Sequence, residues 1–462
     1  MGAAAEKAGI PAVSIVGEEF VGLCNTAVQG EGLTSLAFVT MPQQVMSGAT
    51  EEVRPSCEKA VGEIVYALTE WKPEETGKER EKWIEFEGSD YQGAVDKMNN
   101  MFLTRRWSDG LPLIPPTEER VGWMLSGTNL DPQKVLSTKL FPRRAPITVE
   151  NVAVHAAMAG ARPEYMPVLL AAVNLLDTGD PDGQKVVHFL QESVGMFAPV
   201  LIVNGPIVKE INLNSSFGIM GPGWQADATI GRAISLLLIT AGGYSGAPEG
   251  TPREHSLPGR YTCCFAENEK ENPWQPLHVE LGYDRHASTV TFMVSRGTQT
   301  VMVHPPAEHI LGSIAWAVKG LTGKSYAMSY DELLILSPAH AGVLANAGWS
   351  KEKIRDFVYE KARLSVAEAE AIGLTIGWGE WREKLGADKN VMYPRATISD
   401  RSTLVPMIER PDRLVIVVAG GPGGDNSTFV PCIVRKLTGD IDKYKPAHWQ
   451  DLIKTAREDL KY

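Results

Sequence analysis

The densest chemistry in the chain lies between Tyr261 and His286, in Cys263-Cys264-Phe-Ala-Glu267 and Leu277-His278-Val279-Glu280-Leu281. A thiol, an imidazole and two carboxylates, Glu267 and Glu280, in so short a stretch can hold a transition metal. They can equally pair a thiolate with a histidine base. The adjacency of Cys263 and Cys264 excludes zinc-type pairing at two-residue spacing. Tyr261 to Ala266 and Leu277 to Leu281 read as strands, so side chains alternate between faces. Leu277, Val279 and Leu281 then share one face, and His278 and Glu280 the other. Cys264 lies opposite Cys263, and Glu267 opens the connection. Pro273 and Pro276 break that connection, so the two runs can be antiparallel neighbours. That hairpin places Glu267 within one hydrogen bond, ~3 Å, of His278. A carboxylate there favours the imidazolium and suits proton transfer near neutral pH. The bland alternative is a solvated His278 and Glu280 beside small buried cysteines.

Two glycine-rich loops could hold an anion near this cluster. Gly221-Pro-Gly223-Trp-Gln-Ala-Asp227 leads into an apolar run containing Arg232. Free N–H groups at a helix start suit a carboxylate or phosphate, and Arg232 could clamp it. Ala419-Gly420-Gly421-Pro-Gly423-Gly424-Asp425-Asn426-Ser427 follows the buried-strand run Arg413 to Val418, where open α/β sheets place ligands. Its glycines admit a ligand to the backbone, and Ser427 offers a hydroxyl. Neither spacing is a Walker or dinucleotide fingerprint. The alternative for both loops is a tight, flexible turn. His304-Pro-Pro-Ala-Glu308-His309 matches no metal template, and His155 and His188 read as core or surface histidines. Arg143-Arg144 reads as a surface pair, and Cys24 as a buried free thiol.

The elements that must position these groups read as α/β. Pro11 to Val16 and Leu36 to Met41 are short β-type runs with a helical stretch between them. Glu51 to Trp71 is helical, with Val61, Ile64, Val65 and Leu68 at helical spacing. Lys72 to Asp90 is a charged linker or exposed helix. Further on, Ile147 to Leu176 carries two helices broken at Arg162-Pro163, and Ala226 to Leu238 another. Val200 to Val203 and Ser288 to Val294 are strands, helices resume at His309, and Glu352 to Ala371 is a two-part helix. No internal repeat is visible. The division expected is a small incomplete flavodoxin-like unit at 1–75, a charged and Pro-rich linker region at 76–130, and a larger α+β domain at 131–462. The last strand and its glycine loop are expected to pack back against the first unit.

Composition narrows the class. Of 462 residues 45 are Lys or Arg and 56 Asp or Glu, and the net charge of −11 repels phosphate backbones. No nucleic-acid partner is expected. Five cysteines make no disulfide framework. The N-terminus lacks a secretory apolar core, and Ala233 to Ala241 is about half a membrane span. A cytoplasmic protein without membrane attachment is expected.

Ala5-Glu-Lys-Ala-Gly-Ile-Pro-Ala-Val-Ser-Ile-Val-Gly-Glu-Glu-Phe20 resembles the second half of the UGSC-type domain. That family is named for a selenocysteine (or cysteine)-Gly-Ser-Cys motif on a loop after its first strand. This chain has no Cys-Gly-Ser-Cys, and the segment that would carry it would precede Met1. Residues 100 to 435 resemble uncharacterised bacterial proteins seen with such domains. The resemblance rests on Trp107-Ser-Asp-Gly-Leu-Pro, Met158-Ala-Gly-Ala-Arg-Pro-Glu-Tyr-Met-Pro167, Gly221 to Arg232, Cys264-Phe-Ala-Glu-Asn-Glu269 and Pro273 to Glu280.

Two functions follow as expectations. The first is an enzyme on a small anionic molecule, performing reductive or eliminative cleavage of a carbon–heteroatom bond. His278 would be its acid/base, with Cys264, Glu267 or Glu280 assisting, a transition metal as an optional cofactor, and Gly221, Gly223, Arg232, Gly420, Gly421, Gly423 and Ser427 around the anion. The second is a non-catalytic or half-site subunit of a hetero-oligomer, completed by a partner chain carrying the Cys-Gly-Ser-Cys strand. A partner subunit or a homo-oligomer is expected in either case.

Overall fold

Short β-type runs flanked by helical ones build a parallel sheet first. In the computed structural model, which describes residues 2–33, 35–42, 50–72, 83–142, 145–177, 181–240, 255–321, 330–371 and 400–460, β1 (Val13–Gly17) pairs in parallel with β2 (Ala37–Met41). Helices Val21–Gly30 and Thr50–Thr69 complete this unit. Its core is small: Val39, Met41 and Ala60 are buried, with Val13 and Ile64 against them.

A hairpin of β3 (Val135–Leu140) and β4 (Ala145–Thr148) precedes the main body. Two four-stranded mixed sheets form its centre. The first runs in spatial order β14 (Leu437–Asp440), β7 (Thr289–Ser295), β5 (Ala198–Asn204), β6 (Cys264–Ala266). The second runs β12 (Leu414–Val418), β9 (Glu332–Leu336), β13 (Asn426–Val430), β8 (Gln299–Met302). The remaining strands, β10 (Arg363–Ser365) and β11 (Leu404–Pro406), form a small antiparallel pair.

Period-2 alternation sorts the apolar side chains into three layers. Val200, Ile202, Phe265 and Met293 of the first sheet meet Leu333, Ile335, Val415, Val417 and Val430 of the second in one cluster, so the sheets pack face to face. Leu201, Val203, Cys264, Val290 and Phe292 point the other way, into helices Val149–Ala159, Met166–Asn174 and Gln225–Thr240. Leu334, Leu336, Ile416, Val418 and Phe429 point into helices Ala307–Leu321, Pro338–Asn346 and Lys351–Lys361. The result is a four-layer helix–sheet–sheet–helix body. Met98, Leu113, Val121 and Met124 are buried in the first helix-side core, so the chain from the Tyr91–Thr104 helix onward belongs to this body by packing.

The two sheets are built alike. β5 pairs in parallel with β6 and antiparallel with β7; β9 pairs in parallel with β12 and antiparallel with β13. The fourth strands are exchanged. β8 follows β7 in the chain but joins β13, whereas β14 follows β13 and joins β7. The crossing is symmetric: Ser295 bridges Cys432, Arg296 N–H donates to Pro431 O at 2.8 Å, and Ile433 N–H donates to Val294 O at 3.0 Å. A pseudo-two-fold repeat with swapped edge strands is therefore present where no repeat was expected.

Candidate functional site

The swapped arrangement brings the carboxyl ends of β6 and β12 together. Asn268 N–H donates to Val418 O at 2.7 Å, and Asn268 Nδ2 to Gly420 O at 3.2 Å. Ends of parallel strands leave unpaired backbone groups and are the usual ligand crevice of α/β sheets. At the end of β5 the chain turns at Gly205, whose φ is +90° and whose Cβ would stand 2.2 Å from Ala287 O. Only glycine fits there.

Glu267, 1% exposed, is saturated. Its Oε2 accepts from Asn204 Nδ2 and Leu277 N–H, each at 2.7 Å. Its Oε1 accepts from Asn272 Nδ2 at 2.8 Å and Val418 N–H at 3.4 Å, with Lys351 Nζ at 3.8 Å. Burial pushes this carboxyl above the usual range, opposed by Lys351 and the N–H donors. A carboxylate so fully engaged ties β5, β6, β12 and the 277–280 segment together.

The expected hairpin does not form. Leu277–Glu280 is a single helical turn entered from Pro276 in extended conformation, and β6 pairs with β5. The free N–H at the start of that turn is the one Glu267 takes, which draws the turn inward. His278 is consequently fully buried, and the carboxylate nearest to its ring is that of Glu269. Nε2 lies 3.3 Å from Arg285 O; a carbonyl only accepts, so this nitrogen carries a proton. Nδ1 has no hydrogen bond and faces Glu269 Oε1 at 3.8 Å. Glu269 Oε1 also accepts from Gly205 N–H at 2.7 Å and Asn204 Nδ2 at 3.2 Å, and its side chain is 27% exposed. Glu269 thus reaches solvent with a buried imidazole behind it.

The other expected groups divide clearly. Glu280 accepts from Lys351 Nζ at 3.0 Å and Arg355 at 3.4 Å, joining the 277–280 turn to the Lys351–Lys361 helix. Cys264 faces the helix-side core, and burial, with Asp227 and Cys263 adding to it, holds its thiol well above the ordinary value. It is no thiolate at neutral pH. Arg232 forks onto Asp109 at 2.7 and 3.0 Å and donates to Pro112 O at 3.0 Å, so its guanidinium is spent on the Trp107–Pro112 segment. Ser427 is buried: its Oγ accepts Ser337 N–H at 3.2 Å and lies 2.7 Å from His340 Nδ1. His340 Nε2 meets Val303 O at 2.9 Å, and burial lowers the pKa of this imidazole.

Gly420 and Gly421, just beyond the end of β12, lie against the segment at Ser215 and Phe217. Gly420 N–H donates to Ser215 O at 2.9 Å. A Cβ on Gly421 would lie 2.0 Å from Phe217 Cδ1, and one on Gly423 would lie 3.9 Å from the same ring. The Gly420–Gly424 loop and the turn holding Gly221 and Gly223 are therefore neighbours through Phe217, itself 62% exposed. Behind them Asp227, 3% exposed, accepts from Asn214 N–H at 2.9 Å through Oδ1, and its Oδ2 has no partner. Burial raises this carboxyl to about 7.

Glu267, Glu269, His278, Gly420 and Gly421 converge on one end of the sandwich; Arg232, Cys264 and Ser427 brace it from within. Asn204, Asn268 and Ser337 carry no signal in the sequence beyond their places: Asn204 ends β5, and Asn268 and Ser337 lie just past the ends of β6 and β9. His304 Nδ1 sits 2.6 Å from Asp425 on the surface. Cys24 lines a 240 Å³ cavity of the first unit with Ser14 and Glu31, and burial raises its thiol pKa. Arg143 and Arg144 lie outside the described residues. Among the described residues no three His, Cys, Asp or Glu side chains group as a metal site requires, and no helix is long and apolar enough to cross a membrane.

Residues 2–70 match the UGSC family model, and the match coincides with the β1–β2 unit. No curated protein and no solved structure matches the chain.

Proposed function

We propose that the chain is an enzyme that binds a small anionic organic molecule at the carboxyl ends of β5, β6 and β12 and cleaves a carbon–heteroatom bond by elimination. Glu269 takes the proton from carbon, the C–H electron pair becomes the new double bond, and the heteroatom leaves with its bonding pair. His278 is the positioning residue behind Glu269, and the Gly420–Gly424 backbone admits the anion. The observation that carries this reading is the buried His278 Nδ1, without a hydrogen bond, 3.8 Å from a carboxylate that reaches solvent. Buried polar atoms are rarely left unpaired without a reason. The elimination arm is favoured over the reductive one because Cys264 is sealed in the core.

The test is a thermal-shift screen of small carboxylates and phosphate monoesters, followed by proton NMR of any ligand that binds. At least one anion should raise Tm and be converted. Glu269→Gln should retain the shift and lose turnover by about 100-fold or more. A screen with no binder, or a Gln variant as active as wild type, removes the reading.

A second reading, the half-site subunit completed by a partner strand, has its own observation. Among the described residues the β1–β2 sheet has two strands, with Ile15 61% exposed, and the Thr50–Thr69 helix leaves Val61, Val65 and Leu68 exposed at helical spacing. Two-stranded sheets are marginal alone. Affinity purification from the native host would test it: a stoichiometric small chain with a Cys-Gly-Ser-Cys strand is expected, and purification of this chain alone counts against it.

A further inference from the structure

The quasi-equivalence of the two sheets exposes a difference at their swapped edges. β14 is closed within the chain: its outward carbonyl, Thr438 O, accepts from Tyr283 Oη at 2.9 Å, and Gly439 packs on Leu175. Thr300 holds the equivalent place in β8, since Thr438 pairs Thr291 and Thr300 pairs Thr428. Val303 N–H donates to Asp425 O at 3.1 Å, so ladder bonds fall at 303, 301 and 299, and the backbone groups of Thr300 and Met302 point off the sheet. Among the described residues nothing caps them.

Beside this open edge runs a groove of about 350 Å³ between β8 and Gly312, Ser313 and Trp316 of the Ala307–Leu321 helix. Met302 is 76% and Trp316 71% exposed. Gly312 has open space where a side chain would stand. β8 carries no charged residue, the usual guard against edge pairing.

We propose that this face is where a second copy of the chain docks, its β8 antiparallel to the first. The patch is self-complementary, as a two-fold interface must be. An axis at Val301 lets Thr300 exchange both backbone bonds with Met302 of the second copy. Val301 lies across the groove from residues 312 to 317, so the same axis passes near residue 314 of the helix. Two antiparallel helices about that point set Trp316 of one copy into the notch at Gly312 of the other. They also set Glu308 opposite Lys319, which within its own chain lies 3.8 Å from Glu368. An exposed Trp beside a vacant notch, with opposite charges at matching ends, fits a second copy better than an unrelated peptide. The two four-stranded sheets would become one continuous sheet across the axis.

Analytical ultracentrifugation of the full chain decides this. Wild type should sediment as a dimer. Trp316→Glu and Gly312→Arg should each weaken it by about 30-fold or more with unchanged Tm and circular dichroism. Glu308→Lys and Lys319→Glu should each weaken it, and the double swap should restore it. Val65→Glu, on the first unit, should leave it intact. A monomeric wild type, including one that captures an extended peptide at β8, overturns the proposal; so does a dimer that survives both Trp316→Glu and Gly312→Arg. The outcome is independent of anion binding at the strand ends.

Discussion

Glu267 and Glu269 share a loop and differ in what is left for them to do. Both oxygens of Glu267 are occupied by donors from four segments, so Glu267→Gln turns an amide N–H₂ toward those donors. We expect a loss of ~2–4 kcal/mol in denaturant unfolding; a change within error would mean the donors are satisfied without it. Asp227 gives a pH signature. Its folded pKa, about 7, lies above the ordinary 3.8, so the folded state holds the proton more tightly than the unfolded chain does. Its contribution to stability therefore falls as pH rises between those values and is fully lost above the upper one. Asp227→Asn keeps the acceptor for Asn214 N–H and removes the titration. The variant should be more stable than wild type by roughly 2–4 kcal/mol near pH 8 and nearly equal near pH 4. Parallel stability curves for the two proteins would show that Asp227 is not the group responsible. Cys264, His278 and Glu267 stood out in the sequence as chemistry, but their types could not say that two of them are buried struts. That depends on which neighbour spends their lone pairs.

Elements with strong periodicity were legible. Val200 to Val203, Ser288 to Val294 and the 413–418 run are β5, β7 and β12, and the Ala226 to Leu238 helix is Gln225–Thr240. Leu277 to Leu281 alternates as a strand does, yet it folds as one helical turn because Pro276 and the Glu267 acceptor favour an N-terminus there. β8, β9, β13 and β14 are not legible in the sequence. Each has four or five residues, and Glu332-Leu-Leu-Ile-Leu336 carries one β-branched side chain, so tertiary pairing rather than propensity makes it a strand. Arg232, expected as an anion clamp, instead pins the Gln225–Thr240 helix to the 107–112 segment. Arg232→Lys should cost about 1–3 kcal/mol through loss of the fork, measured by urea unfolding. An unchanged midpoint would return Arg232 to the list of ligand contacts.

At the scale of the whole molecule, the repeat is what sequence could not show. Leu201-Ile-Val203 answers Leu334-Ile-Leu336, and Thr291-Phe292 answers Thr428-Phe429. The chain between paired strands differs, however: Val203 to Ala266 is 266 − 203 = 63 positions, and Leu336 to Val418 is 418 − 336 = 82. Matches of three residues separated by unequal lengths carry no detectable period. The exchange of β8 and β14 locks the halves together, and it sets Glu267 of one against Val418 of the other. The anion site proposed above lies at this junction of the two halves. Hydrogen–deuterium exchange with and without an anion that raises Tm tests that placement most directly. The account predicts that residues 204–217, 267–280 and 418–427 gain protection together, while residues 2–70 are unchanged. Protection confined to the first unit, or to only one of the three strand-end segments, would contradict it.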